Sequence, residues 1–384
     1  QESQPEAATS LARGQNLSNS RGPLHLLVPE PAPRKGWKVR PSSLTSGQAS
    51  SAWERLVGDR FSWWPGFKKQ AKRFLSNPLS FTGVVLIILF ALIAVFAPWL
   101  APPDPLHRHE PYRMPRDGFA LTPRPPQAEA WETFPPDWRK HPFGTMEGQY
   151  DIYYGIIWGA RNAFRIGVVV VGVAVIIGIA IGSLSGYFGG WVDQVLMRLV
   201  DILLSFPTIV LAIVLVTILG NQRFEIFGVK VFISRLTALI IAFTFTQWLT
   251  YARLIRGDVL SIKEKEFVQA AQAVGGGNLR IILKHVLPNA VYPVLIAASL
   301  DIGAIVLSVA ALSFLGLGPG TDFADWGQII SYSREWILGS HGNPFNYWYV
   351  IIIPSLAITL FVLAWNLLGD ALRDVLDPRL RGRT

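Results

Sequence analysis

The chain contains no cysteine. That excludes disulfide staples, thiolate metal sites and a cysteine nucleophile. Charge is scarce as well. Only 16% of its 384 residues are Asp, Glu, Lys or Arg, against about 25% in an ordinary soluble domain. The phosphate-cradling pattern Gly-x4-Gly-Lys-Ser/Thr is missing, so the chain has no means of its own to hold and hydrolyse a nucleoside triphosphate. His-Glu-x2-His is missing too, and neither a metal nor an organic cofactor is expected here. The net charge of +9 comes with no nucleic-acid recognition motif, so no nucleic-acid partner is expected.

What is present is apolar. Hydrophobic residues make up 51% of the chain, and they fall in six runs at about 79–101, 163–187, 199–220, 236–256, 290–317 and 348–369. A helix needs about 20 residues to cross the hydrocarbon core, and each run has the length. The runs are too uniformly apolar for barrel strands. The expected fold is an all-α membrane protein with six transmembrane helices. With both termini placed inside, 23 of the 35 Lys and Arg residues lie on the inner side, as the positive-inside rule favours. The chain then divides into a cytoplasmic tail 1–76, a first transmembrane helix at 77–101, an extracytoplasmic Pro-rich loop 102–162, a transmembrane core 163–370 and a cytoplasmic tail 371–384. Residues 1–50 are polar and low in core-forming side chains, which predicts disorder. The aromatic and basic stretch 53–74 suits the lipid interface.

The most informative segment is the inner loop 257–289 between the fourth and fifth runs. Phe267, Ala270, Ala271 and Val274 fall at helical spacing. Three glycines, Gly275 to Gly277, then break the pattern. Asn278 is placed to cap a second helix, in which Leu279, Ile282, Leu283 and Val286 repeat the spacing and which Pro288 ends. The residues alone leave two readings of this helix, elbow and helix: an interfacial hairpin packed on its own bundle, or a docking surface for another subunit.

Other residues invite a role within the membrane. Pro207 and Pro354 lie in the third and sixth runs, where proline frees a carbonyl and bends a helix. Asp301 lies in the fifth run with Ser299 and Ser308. An acid within a span is either pathway lining or a clamp to a neighbouring helix. Asp193, Arg198 and Asp201 read as local ion pairs on an inner turn.

Gln269-Ala-Ala-x3-Gly275-x11-Leu287-Pro288 resembles the "EAA" loop of ABC importer permeases. The flanking Glu266-Phe267-Val268 and His285-Val286-Leu287-Pro288-Asn289 resemble the dipeptide/oligopeptide branch, as do His141-Pro-Phe-Gly-Thr145, Tyr187-Phe-Gly-Gly-Trp-Val-Asp193, Asp201-Ile-Leu-Leu-Ser-Phe-Pro207, Ala311-Leu-Ser-Phe-Leu-Gly-Leu-Gly318 and Asn366-Leu-Leu-Gly-Asp370. The resemblance spans about 79–380 and is closest to the second permease of the heterodimer. It implies a type I ABC importer fold with a cytoplasmic coupling loop. It also implies a homologous permease partner, two cytoplasmic ABC ATPase subunits that bind and hydrolyse ATP-Mg, and an extracytoplasmic peptide-binding protein, all at a prokaryotic cytoplasmic membrane. This subunit would itself be non-catalytic. Glu266, Phe267, Gln269, Ala270, Ala271, Val274, Gly275 and Pro288 would carry ATPase coupling, with Pro207, Asp301 and Ser308 as gating or pathway residues. The implied substrate is a di- or oligopeptide, with a nickel chelate or modified peptide as the alternative. An ion-coupled secondary transporter is the rival class, but the sequence offers it one candidate acid and no inverted repeat. The chain departs from the branch at Gln269 for Glu, at Met146 and Tyr150, and at Val309 where an acid is usual.

Overall fold

Lipid offers the backbone no hydrogen-bond partner, so each apolar run satisfies its amides by coiling. The computed structural model describes residues 77–226, 228–337 and 343–376. The expected tail 1–76, with its interfacial stretch 53–74, and residues 377–384 lie outside the described residues.

The first helix, α1, is Pro78–Leu100. Asn77 opens it by accepting the Leu79 amide, and Pro78 sits in the first turn, where its missing N–H costs nothing. The second, α2, is Ile152–Phe188, 37 residues long. It starts well before the residue 163 read from hydropathy. Residues 152–162 mix Tyr153, Tyr154, Trp158, Arg161 and Asn162 with small side chains, and most of them are buried against protein rather than bathed in lipid.

The third span differs more. It consists of α3, Gly190–Leu204, and α4, Thr208–Leu219, bent by 85°. Pro207 is the N-cap of α4. It therefore marks a corner between two helices and not a kink inside one, because proline disfavours helical geometry in the residue before it. A short antiparallel hairpin follows, β1 Gln222–Ile226 with β2 Val229–Ile233, a small β element within the helical membrane fold that was expected. The remaining elements are α5 Arg235–Lys263, α6 Glu266–Ala273, α7 Asn278–Ile281, α8 Leu287–Ala290, α9 Tyr292–Leu312, α10 Trp326–Tyr332, α11 Arg334–Ile337 and α12 Tyr349–Leu376. Residues 371–376, expected in a tail, still belong to α12. Five described helices are long and apolar enough to cross a bilayer, and the bent α3/α4 pair makes a sixth if it counts as one broken span.

The tightest seam joins α2 to α5. Gly178, Gly182 and Gly186 recur every fourth residue along α2, and a Cβ built on Gly182 would lie 2.3 Å from the Ala252 carbonyl oxygen. Small residues at that spacing let two membrane helices meet backbone to backbone. A second group joins α1, α9, α10 and α12, where Phe90 and Trp326 pack edge-on against the buried Phe361 ring.

The connector 102–151 forms a cap over one end of the helices. This Pro-rich segment shares a core with the helices, placing Met114 and Met146 in a buried cluster with Tyr154, Trp158, Ala324 and Tyr349. Arg113 reaches Asp322 at 3.0 Å, and the Trp158 indole donates to the Ala101 carbonyl at 2.9 Å. Asp151 does two things at once. Its carboxylate caps α2 through the Tyr154 amide at 2.6 Å and meets His141 Nδ1 at 2.9 Å, both side chains being buried. Burial pushes the Asp151 carboxyl up, and the bonds from His141 and Tyr154 oppose that rise. At the surface, the Arg124 guanidinium holds Asp117 below the usual carboxylate range.

Candidate functional site

The opposite end of the bundle carries the helix-elbow-helix loop. Helix α6 ends because Gly275 adopts φ +83, the left-handed conformation that glycine reaches without strain. Its amide bonds the Gln272 carbonyl at 2.9 Å, and the Gly276 amide bonds Ala271 at 3.1 Å. These are the two bonds of a Schellman C-cap. Asn278, expected as the N-cap of the next helix, is instead its first residue, and Gly277 stands at the cap.

The fate of Pro288 also differs from expectation. It does not end a helix. Residues Ile282–Val286 widen into a π turn in which the Leu287 amide reaches back to the Ile282 carbonyl. That widening makes room for the proline ring, and α8 then starts with Pro288 in its first turn.

Burial reveals the phase of the two helices. Val268 is wholly buried, as are Ile281, Ile282 and Val286. They anchor the loop onto the core that α2 and α5 share. Of the apolar positions that define the sequence pattern, Ile282 and Val286 belong to this buried set, while the other large ones are exposed. Phe267 is 47% exposed, Val274 89%, Leu279 70% and Leu283 55%. Ala270 is exposed, and Ala271 sits half-buried at the boundary. Glu266 lies in the first turn of α6, and Gln269 folds back to donate to the Glu264 carbonyl at 3.2 Å. The loop thus leaves Phe267, Val274, Leu279 and Leu283 exposed while a second apolar set pins it from beneath. Exposed apolar residues gathered on one surface mark a contact site. Val268 and Ile281 were not singled out in the sequence because they fall out of phase with the pattern around them.

Polar contacts tie the loop to the rest. The Tyr187 hydroxyl at the end of α2 donates to Asn278 Oδ1 at 3.2 Å, and Lys263 donates to the Gly186 carbonyl at 3.1 Å. Arg256 of α5 grips Asp193 of α3 through two nitrogens, at 3.0 and 2.5 Å, and Ser185 donates to the same carboxylate. Arg253 pairs with Asp201 at 2.6 Å. These acids were expected to pair locally on their own turn. They pair instead across the bundle, with partners 52 and 63 residues away.

Midway through the bundle, Asp301 of α9 faces α5. Gln247 donates to its Oδ2 at 2.8 Å and the Tyr251 hydroxyl donates to the same oxygen at 2.7 Å. Ser308, two turns on, bonds its own helix at the Ala304 carbonyl. Pro207 lies at the α3/α4 corner and is not brought together with either.

Residues 178–382 match the family described as "binding-protein-dependent transport system inner membrane component", and residues 67–123 match the N-terminal transmembrane domain of oligopeptide transport permease C. The first match alone covers more than half of the chain and takes in every span from the end of α2 onward, together with the loop just described. The chain belongs to the binding-protein-dependent ABC transport permease family. Relatives of this permease include the dipeptide transport system permease protein DppC of Alkalihalophilus pseudofirmus, 34% identical over 82% of this chain and 90% of the relative. The probable D,D-dipeptide transport system permease protein DdpC of Escherichia coli K12 is 34% identical over 80% and 90%. The glutathione transport system permease protein GsiD of Escherichia coli O157:H7 is 33% identical over 81% and 90%. Among solved structures, the MetNI methionine ABC transporter aligns at 19% identity and TM-score 0.42, covering 57% of this permease and 96% of that chain. The permease is a multi-pass membrane protein of the ABC importer class.

Proposed function

We propose that this permease forms half of the translocation pathway of an importer for di- or oligopeptides, driven by ATP that separate subunits hydrolyse. The observation that carries the proposal is the exposed apolar surface of Phe267, Val274, Leu279 and Leu283, held out by the buried Val268 and Ile281. A bundle packing its own loop would turn those side chains inward. Their exposure fits a groove on a partner, and the family resemblance assigns that groove to a cytoplasmic ATPase. The chain itself then holds no nucleotide, and ATP-Mg belongs to the ATPase pair. A homologous permease completes the pathway, and an external binding protein delivers substrate to the cap end. Both termini and the loop face the cytoplasm in this arrangement. Closing of the ATPases would move the loop as a rigid body. Lys263, Tyr187 and the Arg256–Asp193 pair would carry that motion into α2 and α3. A peptide class is preferred over a nickel chelate because the similar permeases are named for dipeptide, D,D-dipeptide and glutathione transport.

The test is co-purification with uptake. Expressed with its partner subunits and extracted in mild detergent, the chain should bring ATPase activity with it. Ala271→Trp should leave the subunit in the membrane at normal abundance while the ATPase and peptide uptake are lost. Normal uptake with Trp at 271 would remove the coupling assignment.

A further inference from the structure

The unburied sides of the spans are not alike. Helix α1 turns Leu79, Phe81, Val85, Ile88, Leu92 and Val95 outward, all bulky and apolar, as contact with lipid requires. Helix α9 differs. It too exposes bulky side chains on one side, Tyr292, Leu295 and Leu307, but on another it carries a stripe of Ala297, Asp301, Ala304 and Ser308, exposed at Ala304 and half-buried at the other three, small or polar at every step of i, i+4, i+7 and i+11. Beside it runs α5, the least apolar of the five continuous candidate spans, with Thr244, Gln247 and Thr250 unburied. The two stripes meet where Gln247 and Tyr251 hold Asp301.

The carboxylate is held unevenly. Both bonds land on Oδ2. Among the described residues Oδ1 has no hydrogen-bond partner and it is not among the buried unpartnered atoms, so it keeps access to the space in front of it. Asp301 lies about 14 Å along α9 from its first residue, near the middle of the span. Among the described residues no Lys, Arg or His pairs with it. Arg253, the nearest exposed cation toward the loop end of α5, is engaged by Asp201. An acid at that depth is not tolerated against lipid. Facing the bundle interior or an aqueous path, it presents one oriented oxygen that no cation among the described residues neutralises.

We propose that Asp301 is the station in the translocation path that takes the cationic group of the passing substrate, its free α-ammonium. Tyr251 and Gln247 are positioning residues. By fixing Oδ2 they aim Oδ1 at the path. This inference rests on the peptide-importer reading above. A charge-assisted bond to an ammonium is directional and strong enough to select, while the small neighbours Ala297, Ala304 and Ser308 leave room for varied side chains. Selection by backbone charge with tolerance for side chains is the chemistry a general peptide path needs.

The experiment reconstitutes the complete importer, with partner permease, ATPases and binding protein, in proteoliposomes. Uptake is measured for one dipeptide with a free amino terminus and for its N-acetyl derivative. The binding protein is the same throughout, so its own preference cancels when the ratio of the two rates is compared between variants. Asp301→Asn should cut the free-amine preference by about tenfold, the scale of one charged hydrogen bond, mainly by slowing the free peptide. Tyr251→Phe, which keeps the buried ring, should shift the ratio the same way by about twofold to fivefold. Equal slowing of both peptides in both variants would make the trio an interhelical clamp and overturn the proposal. A variant that fails to assemble is read through Tyr251→Phe alone, and an unchanged ratio there overturns it as well. A wild-type importer that moves neither peptide would remove the peptide reading itself, and this inference with it.

Discussion

Two connectors of this permease use the same kinds of residue in opposite ways. The cap, 102–151, is rich in proline and charge, yet it turns inward. It buries Met114 and Met146, and places a carboxylate and an imidazole where no water reaches. The loop between α5 and α9 is a regular pair of amphipathic segments, yet it turns an apolar side outward. Sealing, and the coupling proposed for the loop, would impose these opposite demands. A cap that closes the helix ends must pair most of the polar groups it buries, as His141 is paired with Asp151. A loop that receives force from a partner must keep apolar surface free to be covered by that partner.

The largest expected effect breaks the cap. Asp151→Ala removes the α2 N-cap and strands His141 in the interior. Leaving one member of a buried pair costs about 3–5 kcal/mol, a large part of a typical folding free energy. The variant should fall severalfold in membrane abundance and unfold at lower temperature in detergent. The matching change at the loop, Leu279→Asp, should leave abundance and thermal stability as they are, because the side chain is 70% exposed. Its cost falls on docking. Loss of a central interface residue is worth about 2 kcal/mol or more, so uptake should drop by about thirtyfold at equal subunit level. A fall in abundance with Leu279→Asp would show that the surface is structural and erase the contrast between the two connectors. The smallest effect sharpens the comparison. Tyr187→Phe removes one exposed bond, from α2 to Asn278, worth about 0.5–1.5 kcal/mol. It should raise the ATP consumed per peptide moved while leaving subunit level and ATPase co-purification unchanged. An unchanged ratio would mean that force reaches α2 by way of α5 alone.

Much of this architecture is legible in the sequence, for a physical reason. Lipid forces long uniform runs, and α1, α5, α9 and α12 begin and end within a few residues of theirs, apart from the polar extensions at the C-terminal ends of α5 and α12. The errors lie where protein replaces lipid as solvent. The first turns of α2 carry Tyr154, Trp158 and Asn162, which are buried yet not lipid-like. In α3, Arg198, Asp193 and Asp201 hide a helix that hydropathy alone would not extend to Gly190. At the candidate site, the two helices and the glycine elbow are readable from spacing, but spacing cannot say which face meets the bundle. Val268 sits one step out of phase and decides it. Pro288 reads as a stop because its ring clashes with a regular helix, and the π turn before it is a tertiary solution with no local signal. Asp301 is conspicuous as an intramembrane acid, but Gln247 and Tyr251 lie 54 and 50 residues away, beyond what any local pattern reports.

The central claim is that the apolar loop surface is free in this subunit and covered by an ATPase in the working importer. A chain without cysteine allows a direct measurement. Leu279→Cys and, as a buried reference, Val268→Cys are each reacted with a membrane-impermeant maleimide, first in intact cells, then in inside-out vesicles with the ATPases bound, then after the ATPases are stripped. The account predicts no labelling of position 279 in intact cells, slow labelling with the ATPases bound and fast labelling once they are removed, while position 268 stays silent throughout. Labelling of position 279 from outside intact cells, or at the same rate with and without the ATPases, would contradict it.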